Sequence, residues 1–284
     1  MSLDGKVCVI TGATSGIGQV AAEELARLGA RLVIVARDRA RGEALLARLH
    51  ATAGAGGHRV HAADFARLAE MKRVAAEIAA AEPRVDLLVN NAGSLFSYRQ
   101  VTEDGLEKHF AANHVAYAVL TAGLAERLFA AAPARVVSTA SAAHYGARLD
   151  FDDLQFARGY DGFRAYQRSK LYNVMWTREL ARRLAGTGVT ANCFHPGFVA
   201  TRYGDNAGGP LAVMVRIAKL FAISPEKGAR TLIYLASSPE VAGMTGGYFT
   251  KCRLTTPSRE AEDDAAARRL WDETARLAGL PSLG

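Results

Sequence analysis

Val7-Cys-Val-Ile-Thr11 runs straight into Gly12-Ala-Thr-Ser-Gly16-Ile-Gly18 and then into Gln19-Val-Ala-Ala-Glu-Glu-Leu25, and this stretch decides the fold. A short β-branched run, a glycine-rich turn and an amphipathic run in direct succession make a strand, a turn and a helix. Glycine permits the tight turn and lets backbone N–H groups approach an anion, while the helix N-terminus adds partial positive charge. That is the logic of a pyrophosphate cradle in a dinucleotide fold, with Gly12, Thr14, Ser15, Gly16, Ile17 and Gly18 as its candidate residues. The spacing is GxxxGxG and not the generic GxGxxG. A tight strand-to-helix turn needs glycine with or without a ligand, so the cofactor reading rests on the rest of the chain.

The remainder of the chain repeats this strand–helix unit. Val7–Ile10, Arg31–Ala36, His58–Ala62, Val85–Asn90, Arg135–Thr139, Val189–His195 and Tyr248–Phe249 read as strands. Gly16–Leu28, Asp38–His50, Ala66–Ala81, Glu103–Ala130, Gly162–Leu184, Pro225–Ser237 and Arg259–Ala278 read as helices. Strands that are apolar throughout, each followed by a helix, predict an α/β fold with a doubly wound parallel sheet of about seven strands and helices on both faces. The 284 residues are half apolar and 22% charged, enough to bury a large core as one domain over 1–284. The net charge is 35 − 28 = +7, but the basic residues are scattered, without a run that would mark a nucleic-acid partner. Three distant cysteines and seven histidines show no metal-ligand spacing, so no metal is expected, and reduced thiols suit a reducing compartment. The first strand begins too early for a leader or membrane anchor to precede it, which predicts a cytoplasmic protein.

Two further features point to the nucleotide. The end of the second strand is where a carboxylate usually meets a ribose 2′-hydroxyl. Ala36 stands there, Arg37 is next, and a guanidinium can hold a 2′-phosphate bidentately, so NADP(H) is preferred over NAD(H). The alternative for Arg37 is a solvated helix start. After the third strand, Asp64, with Phe65 beside it, is placed for an adenine contact or for capping the next helix.

The chemistry is carried by Tyr166-Gln-Arg-Ser-Lys170. On a helix the phenol and the ammonium share one face, i and i+4. A free tyrosine titrates near ~10, and a neighbouring cation favours the phenolate. Ser141, just past the fifth strand, lies at the carboxyl edge where open α/β sheets bind ligands, and its hydroxyl can orient a carbonyl. Ser138 and Thr139 fall within the strand and face the packing.

With these motifs assembled, the chain resembles the short-chain dehydrogenase/reductase family along essentially its whole length. The resemblance lies in TGATSGIG at 11–18, NNAG at 90–93, Asn113 in AANH, Ser141, YQRSK at 166–170 and HPG at 195–197. It implies a Rossmann fold in which Tyr166 is the general acid/base, Ser141 polarises the carbonyl, Lys170 binds ribose and lowers the tyrosine pKa, and Asn113 orders a water relay. It further implies that Asn91, Ala92 and Gly93 line the adenosine side, and that Pro196, Gly197, Val199 and Thr201 hold the carboxamide. The separation 166 − 141 = 25 is long for the family. The insert it creates, with TRELARRLAGTGVTANCFHPG at 177–197, YFTKC at 248–252 and RRLWDE at 268–273, resembles the retinol-dehydrogenase-like branch. The protochlorophyllide-reductase group is related.

The resemblance implies an NADP(H)-dependent oxidoreductase interconverting a carbonyl and an alcohol on an apolar small molecule, and a homo-oligomer is compatible with it. A non-catalytic nucleotide sensor keeping the fold is the alternative, although a sensor needs no Asn–Ser–Tyr–Lys set. Residues 202–222 read as a substrate lid, with a glycine-rich part and then Leu211, Met214, Val215, Ala218 and Phe221 on one helical face. Residues 253–284 read as a C-terminal helical tail.

Overall fold

β1 (Val7–Thr11) is buried throughout, and its alternation divides the core. Val7 and Val9 join one hydrophobic cluster, Cys8 and Ile10 another. A strand apolar on both faces belongs in the middle of a covered sheet. β1 is paired on both edges, with β2 (Arg31–Ala36) and β4 (Leu87–Asn90), in parallel register. The computed structural model describes residues 2–52, 56–199 and 223–281.

The sheet order is β3-β2-β1-β4-β5-β6-β7-β8, with β3 at Arg59–Ala62, β5 at Ala134–Thr139, β6 at Val189–His195 and β7 at Tyr248–Thr250. The first seven strands are parallel, as the sequence predicts. The eighth, β8 (Arg253–Thr255), pairs antiparallel with β7 and extends the expected sheet by one strand. The joining turn is Lys251-Cys252, both with positive φ (49° and 60°). A two-residue hairpin needs such angles and usually uses Asn-Gly for them, so the sequence carries no warning of this turn.

The apolar clusters place the helices. α1 (Gly16–Arg27), α2 (Arg39–Thr52) and α8 (Pro225–Ser237) cover one face, while α3 (Leu68–Ala81), α5 (Ala116–Gly123), α7 (Gly162–Arg183) and α9 (Asp264–Ala278) cover the other. The helix expected over Glu103–Ala130 is broken into α4 (Lys108–Phe110), a π-helical turn at Ala111–Val115, α5, and α6 (Ala125–Phe129). It begins late because buried Glu107 caps it, accepting the Phe110 N–H at 2.8 Å. The final helix also divides, because Asp263 caps α9 at the Ala266 N–H (2.9 Å) and leaves Arg259–Glu262 as a separate 3₁₀ turn. Trp271 of α9 stacks on Trp176 of α7, centroids 5.6 Å apart.

Strand order reverses between β1 and β4, and a crevice opens there at the carboxyl ends of the strands. A polar clasp holds it. Thr11 Oγ1 accepts the N–H groups of Asn91 and Ala92, each at 2.9 Å, and donates to the Val89 carbonyl at 3.3 Å. The Asn91 amide donates to the Thr11 and Gly12 carbonyls (3.1 and 3.2 Å) and accepts from Thr139 Oγ1 at 3.1 Å. Thr11 is fully buried, so Thr11→Val, which keeps its shape, strands two amide hydrogens. Urea unfolding is expected to show a loss of roughly 2–4 kcal/mol; stability equal to wild type would mean that the clasp adds nothing.

Candidate active site

The glycine turn fits an anion by its geometry. Gly12 has φ +67°, and a Cβ there would come within 2.8 Å of the Ala92 backbone. A Cβ on Gly18 would stand 2.2 Å from the Gly12 carbonyl oxygen, so the helix packs against its own turn only with glycine. At the start of α1, Ser15 makes no side-chain cap and the first turn holds no acidic residue. The N-terminal N–H groups and the helix dipole therefore face the crevice without a counter-charge from α1. Thr14, Ser15, Gly16 and Ile17 are half-buried around it.

At the tip of β2, Ala36 is buried and Arg37 exposed. The neighbouring carboxylate, Asp38, is turned away into the start of α2, where it accepts the Arg41 N–H at 3.2 Å and pairs with the Arg41 guanidinium at 3.3 Å. Arg39 is likewise engaged, by Glu43 at 2.9 Å. Among the described residues Arg37 has no ion-pair partner. Asp64 accepts the Ala66 N–H at 3.0 Å, but the helix after it starts only at Leu68, so Asp64 closes a turn rather than capping α3. Phe65 is buried beside it.

The other half of the site is organised by α7. Its N-cap, Asp161, accepts the Arg164 N–H at 2.8 Å and fixes where the helix begins. Tyr166 lies half-buried one turn later. Lys170 comes next on the same face with its Nζ 5.8 Å from the Tyr166 ring centre. Lys170 is 2% exposed and donates to the Thr139 carbonyl at 3.2 Å. No carboxylate among the described residues pairs with it, and burial brings its pKa down to about 7.

Ser141 caps the 3₁₀ turn Ala142–Gly146 by accepting the Ala143 N–H at 3.2 Å, which leaves its own hydroxyl hydrogen available. His144 supports it from below: the imidazole is 2.6 Å from the Ser141 carbonyl through Nδ1 and accepts the Ser258 N–H through Nε2 at 3.0 Å. The insert between Ser141 and Tyr166 thus docks on the C-terminal segment, where Tyr145 also donates to the Thr256 carbonyl at 2.6 Å. Ser138 is buried without a hydrogen-bond partner, as a packing residue would be. Thr139, expected only to pack, does more. Its hydroxyl holds Asn91 and its carbonyl receives Lys170.

Asn113 sits in the middle of the π turn, a distortion often found at functional sites. Its amide donates to the Ser94 carbonyl (2.9 Å) and to Ser169 Oγ (3.1 Å), and its Oδ1 accepts the Ser94 N–H at 2.8 Å. The side chain is therefore spent within the fold, and the backbone carbonyl accepts the Asn173 amide at 2.9 Å. Gly93 lies against this pair: a Cβ there would meet Asn113 Oδ1 at 3.1 Å and Lys170 Nζ at 3.6 Å. Ala92 offers its carbonyl to buried Tyr117 at 2.9 Å. On the far side Gly197 (φ +91°) and Val199 come after β6, and the side chains of Val199 and Ile17 both lie where a Cβ on Gly228 of α8 would stand. Thr201 and residues 202–222, the expected lid, lie outside the described residues. Among the described residues no three His, Cys, Asp or Glu side chains gather as a metal site would need, and no helix is long and apolar enough to cross a membrane.

Among the described residues, the carboxyl edge of the sheet therefore carries a helix N-terminus without a side-chain cap, an arginine without an ion-pair partner at the tip of β2, and Asn113, Ser141, Tyr166 and Lys170. A family model described as short chain dehydrogenase matches residues 6–209. The chain belongs to the short-chain dehydrogenase/reductase family. Within it the chain falls in the retinol-dehydrogenase-like branch: it is 40% identical to retinol dehydrogenase 14 of Homo sapiens, over 98% of this chain and 88% of the relative. It is 40% identical to retinol dehydrogenase 13 of the same organism, over 98% and 86%. Among solved structures it is similar to an uncharacterized protein from Mycobacterium Paratuberculosis (TM-score 0.78, 31% identity, 98% and 95% of the two chains). The NADP complex of RhlG from Pseudomonas aeruginosa is also similar (TM-score 0.69, 29% identity, 87% and 95%). Membership makes the chain an oxidoreductase of a family that uses nicotinamide nucleotides.

Sequence reading missed Asn173, His114 and Thr11. Asn173 shares the Tyr166 and Lys170 face at helical spacing, and that periodicity alone singles it out.

A buried ammonium without a carboxylate partner costs stability. With the Tyr166 phenol neutral, Lys170 in the folded protein binds its proton only below about 7, whereas in the unfolded chain it does so below ~10.4; a phenolate beside it would hold the ammonium to higher pH. The penalty is therefore full at pH 6, falls as pH rises through that window, and is gone above it. Lys170→Met is expected to stabilise the fold at pH 6 by on the order of 2 kcal/mol, with the gain shrinking toward pH 10. A variant less stable than wild type at pH 6 would contradict this account of the lysine.

Proposed function

We propose that the protein is an NADP(H)-dependent oxidoreductase that interconverts a carbonyl and an alcohol on an apolar small molecule, with Tyr166 as general acid/base. The observation that carries this reading is the buried Lys170, held against the Tyr166 ring without a carboxylate partner among the described residues. An ammonium kept from solvent and from carboxylates acts on whatever acid stands next to it, and here that is a phenol.

Gly12, Thr14, Ser15, Gly16, Ile17 and Gly18 would hold the pyrophosphate, Arg37 the 2′-phosphate, and Asp64, Phe65, Asn91, Ala92 and Gly93 the adenosine side. Lys170, Pro196, Gly197, Val199 and Thr201 would hold the nicotinamide end. The turn that only glycine fits and the uncapped start of α1 support this placement. When bound, the nucleotide supplies or accepts the hydride. The chain supplies the rest. Ser141, already satisfied as an acceptor, donates its hydroxyl hydrogen to the substrate oxygen and fixes where that oxygen lies. Tyr166 then gives its phenolic proton to the same oxygen, or takes it in the reverse direction. Lys170 steadies the phenolate through charge, and Asn113 would order a water relay to Lys170. In this placement Asn91 acts toward the nucleotide through its backbone, because its amide is committed to the clasp.

Apolar substrate chemistry is supported by what surrounds the phenol. Phe163, partly exposed, lies with its ring centre 6.3 Å from that of Tyr166, and Phe198, half exposed, comes directly after Gly197. Relatives named retinol dehydrogenase agree with a substrate of that character. Burial of apolar area is worth roughly 25 cal/mol per Å², so efficiency should rise along a series of lengthening aldehydes.

Two measurements test this. With NADPH and a long-chain or aromatic aldehyde, Tyr166→Phe is expected to lower turnover by at least ~10²–10⁴-fold while NADPH binding stays near wild type. A variant keeping most of its turnover would remove Tyr166 from the chemistry. In the second, calorimetry on wild type should show tighter binding of NADPH than NADH. Arg37→Ala is expected to reduce that preference by roughly 1.5–3 kcal/mol, the worth of a charge-assisted contact. Equal wild-type affinities would refute the nucleotide assignment.

A further inference from the structure

The π turn and the catalytic helix meet at a buried amide that the chemistry above does not use. Asn173, fully buried one turn beyond Lys170, directs Nδ2 at two backbone carbonyls, Asn113 O at 2.9 Å and Thr139 O at 3.2 Å. Only a donor satisfies two carbonyls, so the amide orientation is settled and Oδ1 must face the other way. There it meets His114 Nδ1 at 3.3 Å. An amide oxygen needs a hydrogen, so His114 carries its proton on Nδ1, and its Nε2 accepts from Thr274 Oγ1 of α9 at 2.9 Å. Burial agrees, bringing the His114 pKa down to about 4 and keeping the ring neutral. Every link is thereby given one direction: Thr274 hydroxyl to His114, His114 to Asn173, and Asn173 to the two carbonyls.

One of those carbonyls is also the acceptor of Lys170 (Thr139 O, 3.2 Å), and the other belongs to Asn113 in the π turn. We infer that Asn173, held by His114, is a positioning residue for Lys170. By sharing the Thr139 carbonyl with the ammonium and occupying the Asn113 carbonyl, it keeps Lys170 from bridging the two and drawing back from Tyr166. The inference rests on the reading of Tyr166 and Lys170 as the acid–base pair. It adds that the C-terminal helix, through Thr274, helps set where the charge stands. Among the described residues the titratable groups around Tyr166 are Lys170 on its own helix, His109 with its ring 6.3 Å away, and Tyr117 and Tyr248, both of which feel its charge. None of these belongs to the chain from Thr274 to Asn173.

The test tracks the ionisation of Tyr166 in the nucleotide-free protein, read as the tyrosinate absorbance of each variant minus that of the same variant carrying Tyr166→Phe. Asn173→Ala is expected to raise the Tyr166 titration by about one pH unit and to lower kcat by on the order of 10²-fold with little change in KM. His114→Leu should move both in the same direction. His114→Asn, whose amide can put a donor where Nδ1 stood, should return both toward wild type. An unmoved Tyr166 titration in a folded Asn173→Ala protein would overturn the inference. Should that variant not fold, an unmoved titration in His114→Leu would do so, as would failure of His114→Asn to restore what His114→Leu loses. A wild-type protein without carbonyl reduction, in which these titration shifts still occur, would refute the proposed function and leave the positioning of Lys170 standing.

Discussion

A single ammonium, Lys170, is kept almost wholly from water at the carboxyl edge of a parallel sheet, and much of the neighbouring structure is arranged around it. Folding gains nothing from such a group, since desolvating a charge costs more than one carbonyl returns. Its surroundings are accordingly specific. The Thr139 carbonyl at the end of β5 receives it, Gly93 leaves room for it, and Asn113 lies across the same gap. A Cβ at position 93 would crowd Asn113 and touch Lys170, which places the NNAG turn after β4 beside α7.

The clasp at the switch point has the complementary task. Thr11 and Asn91 exchange hydrogen bonds between the turns after β1 and β4, and Thr139 joins from β5, so three strand ends are fixed to one another. The proposed nucleotide half and the proposed acid–base half of the site are thereby parts of one edge: Thr139 touches Asn91 through its hydroxyl and Lys170 through its carbonyl. On the substrate side a buried cluster performs similar work. Glu107 caps the start of α4 and meets His109 at 3.0 Å, while Tyr160, from the loop that leads into α7, donates to the same carboxylate at 3.1 Å. Burial alone would raise the Glu107 pKa, but its bonds to His109 and to the backbone outweigh that and hold it below the usual carboxylate value.

The parallel core was legible because its signals are local and strong. Apolar runs of strand length, each followed by a helical period, leave few topologies open, and the glycines at 12, 16 and 18 placed the crevice. The juxtaposition of Tyr166 and Lys170 was legible for a different reason, since both lie on one helix and their spacing is their geometry. Features that depend on distant partners were hidden. Nothing in Ala111-Ala-Asn-His-Val115 announces a π turn, because the bonds that stabilise it come from Ser94, Ser169 and Asn173. The Lys251-Cys252 hairpin lacks the residues that usually signal positive φ. Asp38 follows Arg37 directly, and its engagement by Arg41 at the start of α2 shows only in the structure.

The account stands on the claim that the buried charge of Lys170 acts on the phenol of Tyr166. Carbon-13 labelling of tyrosine Cζ, with Tyr166 assigned by its loss in Tyr166→Phe, allows that phenol to be titrated by NMR in wild type and in Lys170→Met. The account predicts that Tyr166 ionises below the ordinary ~10 of a tyrosine in wild type and at a clearly higher pH once the ammonium is gone. The same titration in both proteins would contradict it.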